Sequence, residues 1–108
     1  MIARTWRGSA PAANADAYVA HLRTRTFPGL RTIPGHNGAC LLRRDSGTTV
    51  EFLVITFWQS IDSIHRFAGD DPEVAVVPDE ARALLGAFDA RAVHWEVALD
   101  KIDAPATK

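Results

Sequence analysis

His94 and Glu96, two residues apart near the carboxyl end, form an imidazole–carboxylate pair whose spacing could support acid–base chemistry. On a strand, residues i and i+2 project from the same face, so a carboxylate there could fix the imidazole's tautomer and raise its basicity. His94 could then take the proton of a phenol as a general base; its blander role is a satisfied histidine at a sheet edge or subunit interface. Trp58 offers a flat wall on which an aromatic ligand could stack, although a tryptophan in such a place is more commonly core. Trp6, Phe67 and Tyr18 extend the same aromatic set as candidate substrate-binding residues, with packing again the ordinary alternative. His65 falls one turn after Ile61, at the border of a helical apolar stripe, where it could reach a pocket or stand half-exposed. His21 and His36 read as surface residues.

Other chemistries find little support. The four histidines are scattered, there is no Glu-x-x-His and no paired-cysteine spacing, so no metal site is expected. No glycine-rich phosphate loop or dinucleotide fingerprint follows a strand pattern, and no cofactor is expected. Cys40 is the single cysteine; it excludes an intrachain disulfide and reads as a small apolar strand residue. Arg43 and Arg44 precede a turn and read as solvated, or as a basic mouth for an acidic substrate.

The frame for these side chains centres on residues 50–60, the longest apolar run, rich in β-branched and aromatic residues. Its period of two puts Val50, Phe52, Val54, Thr56 and Trp58 on one face. Leu53, Ile55 and Phe57 share the other with the single charge of Glu51. Both faces of this strand therefore call for cover. Residues 2–7 read as a short first strand with Ile2 and Trp6 on one face, broken by Gly8-Ser9-Ala10-Pro11. Asn14 is the expected cap of a helix carrying Ala15, Tyr18, Val19 and Leu22 inward, stopped or kinked at Pro28-Gly29. Residues 37–44 form a strand, and Asp45-Ser46-Gly47 turns it into the central one. Ser60 caps the next helix, with Ile61, Ile64, Phe67 and Ala68 inward and Gly69 as its stop. Residues 73–77 fit either an extended piece or a helical turn; Pro78-Asp79-Glu80 opens a short helix ended by Gly86. The last strand is expected over residues 90–99, with a loose tail from 101 to 108.

The order strand, helix, strand, strand, helix, strand predicts an α+β fold, a ferredoxin-like βαββαβ antiparallel sheet with helices on one face. One set of helices shelters one side only, so a second copy of the chain is the expected cover for the other: a homodimer. At 108 residues and 11.8 kDa the chain is one domain, residues 1–100, followed by the tail. Its net charge of −1 argues against holding a polyanion. The strand 50–57 echoes the aromatics of an RNA-recognition strand but lacks its basic start and glycines and carries Glu51, so nucleic acid is not an expected partner. Residues 1–54 hold seven arginines against three acids and residues 55–108 five basic residues against ten acids, which points to complementary packing or a local basic site. No apolar segment approaches the ~20 residues needed to cross a bilayer, and no signal-peptide core opens the chain, so a cytoplasmic location is expected.

Pro28-Gly29 with Ile33-Pro34-Gly35-His36-Asn37-Gly38, then Thr56-Phe57-Trp58-Gln59-Ser60, Phe67-Ala68-Gly69 and His94-Trp95-Glu96-Val97 make residues 2–98 resemble the antibiotic biosynthesis monooxygenase superfamily, small subunits paired into a dimeric α/β barrel. The resemblance implies one of three things: a cofactor-free oxidase of phenols or quinols, a haem-degrading enzyme, or a subunit with no assigned reaction. The quinol-oxidising type carries an asparagine where Val54 stands. The haem-degrading type carries a first-strand asparagine that is missing here, a tryptophan where Phe67 stands, and a later histidine absent between His65 and His94. What the resemblance leaves is a cofactor-independent monooxygenase or oxidase of a small aromatic substrate, with a non-catalytic dimeric ligand-binding protein as the alternative.

Overall fold

The computed structural model describes residues 1–101; the expected tail lies almost wholly outside them. Strand β1 (Ile2–Pro11) leads into helix α1 (Ala12–His21), which continues through a π turn (Leu22–Thr26) into a short α2 (Phe27–Leu30). A hairpin of β2 (His36–Ser46) and β3 (Thr49–Trp58) follows, then α3 (Ile61–Ala68), α4 (Asp79–Leu84), β4 (Ala87–Phe88) and β5 (Val93–Glu96). All pairings are antiparallel. The sheet runs β2-β3-β1, and β4 and β5 share the far edge of β1, at Gly8–Ser9 and at Ile2–Thr5 respectively. The helices lie against one face, and the fold is the expected ferredoxin-like α+β arrangement.

Several boundaries differ from expectation, each for a physical reason. Strand β1 is not broken at Gly8: it pairs with β3 over ten positions, from Ile2↔Trp58 to Pro11↔Thr49. Gly8 belongs inside it, because a Cβ there would press on the Trp6 ring and on Phe88. Asn14 does not cap α1, which starts directly after Pro11; its side-chain amide donates instead to the Leu84 carbonyl of α4 at 3.2 Å. Pro28-Gly29 does not end the helical segment. The backbone widens into a π turn, the Phe27 N–H bonds back to the Leu22 carbonyl, and Pro28 then sits in the first turn of α2, where its missing N–H costs little. The last strand is shorter than expected: Leu99 is almost fully exposed, and the 90–92 segment serves instead to hold residues 73–75 by two backbone hydrogen bonds.

Helix α3 follows its sequence closely. Ser60 Oγ accepts from the Ser63 N–H, Asp62 sits in the first turn, and Gly69 at φ 90° ends it. Gly35, at φ 91°, lies so close to α3 that any side chain would collide with Ser63, which ties the 33–38 loop to the helix start. Register then fixes the two faces. Ile2, Arg4, Trp6, Gly8 and Ala10 of β1 stand beside Trp58, Thr56, Val54, Phe52 and Val50 of β3 on the helix side. Beneath the helices the core has two centres: Tyr18, Leu22, Val50, Phe52 and Ala81 in one, Leu30, Trp58 and Ile64 in the other, with Phe27 packed against both.

Candidate functional site

Between those two apolar centres lies a cavity of about 50 Å³. The sheet contributes Arg4, Trp6, Val54 and Thr56, the α1–α2 segment Tyr18, Leu22, Thr26 and Leu30, and α3 Phe67; residues 76–78 and Ala81 close it from above. A larger groove of about 440 Å³ crosses the other face over Arg7, Leu42, Arg44 and Leu53. That groove is shallow and open to solvent, whereas the interior space combines enclosure with convergent aromatic and charged groups, the usual marks of a ligand site.

Three of the six expected site residues meet at the cavity: Trp6, Tyr18 and Phe67 line it. Trp6 is anchored by its indole N–H, which donates to the Asp89 carbonyl at 2.7 Å. Tyr18 is buried and tilted against Phe52, with ring centroids 4.7 Å apart, and burial pushes its phenol up to about 12, so it stays neutral. Phe67 stacks at 5.8 Å on Trp58. Trp58 does not line the space. It is fully buried behind Phe67, its indole N–H donates to Thr56 Oγ1 at 2.8 Å, and the His36 ring meets it edge-on at 5.0 Å. It supports the wall that Phe67 presents.

The histidines separate by role. His65 Nδ1–H donates to the Gly69 carbonyl at 2.8 Å and closes the end of α3, away from the cavity. His21 and His36, expected at the surface, are half-buried: His21 Nδ1 approaches Glu80 at 3.6 Å, and His36 leans on Trp58. His94 stands directly across from Arg4 in the β1–β5 register, on the helix side of the sheet but outside the cavity lining. Its Nε2 is buried without a partner. Desolvation and then the Arg4 charge hold the imidazole below its ordinary pKa, only partly offset by Glu73. The carboxylate whose charge reaches it is therefore Glu73, from the 71–78 segment. Among the described residues Glu96 makes no hydrogen bond to His94, so the expected dyad along the strand is not formed.

Arg4 was not among the expected residues. The residue is 6% exposed, and its guanidinium lies 5.3 Å over the Phe67 ring and donates to the carbonyls of Val74 (2.8 Å) and Pro72 (3.4 Å). Burial lowers its pKa to about 10, which leaves it charged at neutral pH. A signal was present: Arg4 lies between Ile2 and Trp6 in the alternation that places both on one face, so it is a charge in a row assigned to the interior.

An antiparallel sheet with helices on one face and an aromatic-walled cavity between them defines a small ferredoxin-like α+β subunit. Among solved structures the chain is similar to a Deinococcus radiodurans protein provisionally described as an antibiotic biosynthesis monooxygenase: TM-score 0.64, 18% identity, 98% of this chain and 100% of that one. A Bacillus cereus protein given the same provisional description matches with TM-score 0.63 at 11% identity, over 96% of this chain and 97% of that one. The haem-degrader MhuD from Mycobacterium tuberculosis, with two haems bound in its active site, matches with TM-score 0.59 at 20% identity, over 94% and 99%. The fold expected from the sequence resemblance is thus the fold of antibiotic biosynthesis monooxygenase structures. No family model matches the chain, and no curated protein matches it in sequence. Among the described residues, no helix is long and apolar enough to cross a membrane.

Proposed function

We propose that this chain is a cofactor-independent oxygenase of a small phenol- or quinol-type aromatic substrate, working as a homodimer. The observation that carries the reading is the cavity itself: Trp6, Tyr18 and Phe67 around a charged Arg4, with an imidazole held neutral across from Arg4. In such a site His94 takes the phenolic proton and Arg4 favours the resulting phenolate. The electron-rich anion reduces oxygen, a C–O bond forms at the ring carbon, and the peroxide recovers a proton from His94. Cleavage of the O–O bond with loss of water leaves a carbonyl on the product. The substrate supplies all the electrons, one oxygen atom ends in product and the other in water. An enclosed apolar wall confines the reactive intermediate.

The homodimer reading rests on the uncovered face of the sheet. Leu42, Val93 and Trp95 are each at least half exposed there, and Leu53, Ile55 and Phe57 lie among them. Binding without turnover is the second reading, favoured by His94 standing outside the cavity lining. Oxygen uptake separates the two. Purified protein incubated in air with anthrol- or quinol-type compounds should consume oxygen, and His94→Ala should slow this by about 10²-fold or more. Ligand binding with no oxygen consumption would leave only the non-catalytic reading standing.

A further inference from the structure

We propose that Arg4 makes the cavity selective for an aromatic ligand bearing an oxyanion, a carboxylate or phenolate, which enters when residues 71–78 lift from the sheet. This deepens the functional reading above, in which Arg4 already favours a phenolate, by making the oxyanion a condition of binding that holds with or without turnover.

Three exposed arginines of this chain pair with acids, where a lone cation would cost little; the one buried arginine does not. Arg43 pairs with Asp16, Arg44 with Glu51, and Arg91 with Asp71 and Glu73. Arg4, almost without solvent, has no carboxylate in ion-pair contact among the described residues. A buried cation satisfied only by neutral carbonyls is an unfavourable arrangement unless something else meets its charge. The fork has five N–H groups, of which Nε and one on Nη2 are engaged, and the residue lines the cavity. A carboxylate or phenolate oxygen placed there gains short charge-assisted hydrogen bonds, while Trp6, Tyr18 and Phe67 take the ring.

Size makes entry conditional. About 50 Å³ accommodates a few waters, not a benzene ring. The movable wall is Val76, Val77 and Pro78, at the end of a strap held on both sides. Outside, Arg91 grips Asp71 and Glu73, and backbone bonds join Ala75 to Ala90 and Ala92 to Glu73. Inside, the latch is Arg4 on the Pro72 and Val74 carbonyls. An arriving oxyanion competes with those carbonyls for the same guanidinium, so binding the ligand and releasing the inner latch are one event.

The test is calorimetric, on the full chain, with anionic and neutral probes of matched shape: benzoate against benzamide, and 4-nitrophenolate against 4-nitroanisole. Wild type should bind at least one anion about tenfold or more tightly than its neutral counterpart. Arg4→Met should abolish that preference. Arg4→Lys, which keeps a charge but loses the fork, should retain only part of it and serves if Arg4→Met fails to fold. Equal affinity within both pairs, no binding of any probe, or a preference that survives Arg4→Met would overturn the proposal, as would an undiminished preference in Arg4→Lys. Anion preference without oxygen uptake from any quinol would end the oxygenase reading and leave this one intact.

Discussion

The two faces of this sheet are built from neighbouring residues of the same strands, yet they carry different burdens. On the helix side Trp58, Phe52 and Val50 are buried and even an arginine is drawn in; on the other, Trp95 is 57% and Val93 52% exposed, with Leu42 at 50%. Composition does not separate them, since both are rows of β-branched and aromatic residues. The difference is what each row meets. One face has already been paired with helices and holds a polar group inside an apolar shell. The other keeps an apolar surface whose rim carries charges such as Arg7, Arg44 and Glu51. The lesson is that an apolar strand row reports a demand for cover, and only topology says whether the chain itself meets it.

Tryptophan truncation gives the largest contrast. Trp58→Ala removes a fully buried ring packed on Phe67, His36 and Ile64's cluster, and should cost about 3–5 kcal/mol in a denaturant titration. Trp95→Ala should change the stability of the isolated subunit by no more than about 0.5 kcal/mol. Similar losses for both would erase the distinction between the faces. A second contrast concerns assembly. If a twin covers the open face, Leu42→Glu with Trp95→Glu should weaken association by about 2 kcal/mol or more. Sedimentation would then shift from twice 11.8 kDa toward 11.8 kDa while the fold is retained. A wild-type chain that sediments as a monomer at every concentration would remove the homodimer and the need for cover together.

Much of this was legible in the chain. The residues that make β3 and α3 are locally consistent, with period, cap and stop all agreeing, and both elements fall where their residues place them. The misses are cases where tertiary pairing outweighed a local signal. Gly8 looked like a breaker because its role, making room for Trp6 and Phe88, exists only once the sheet is assembled. Pro28-Gly29 looked like a stop because nothing local announces the π turn that absorbs it. For the site, the aromatic walls were readable as an inward set, Trp6, Tyr18 and Phe67. The charge they surround was readable too, in the alternation of β1, but one arginine among the seven of residues 1–54 carries no flag of its own. The electrostatic influence of Glu73 on His94 could not be read: it depends on a strap returning to β5 across about twenty residues of sequence.

The smallest effect expected is also the one that tests whether the helix side is dry. His94 faces Arg4, Glu73 and, along its own strand, Glu96; His36 faces Trp58 and Arg31. Desolvation holds both imidazoles below their ordinary value of 6.5, with a neighbouring arginine adding to it in each case. A histidine whose folded pKa is depressed is neutral in the fold and binds its proton more readily when unfolded. Stability should therefore be flat above about pH 6.5, fall as the pH drops from there toward the lower folded values, and level off below them, since the unfolded chain binds more protons only in that window. The slope stays below about 1.4 kcal/mol per pH unit for each imidazole, because each can bind at most one more proton unfolded than folded. Thermal midpoints recorded from about pH 8 to about pH 5 should decline in acid for wild type and less for His94→Gln or His36→Gln. The same displacement puts the acid limb of any His94-dependent oxygen uptake below the ordinary imidazole value, and an acid limb above it would mean that a different base, or a wetter face, is in play.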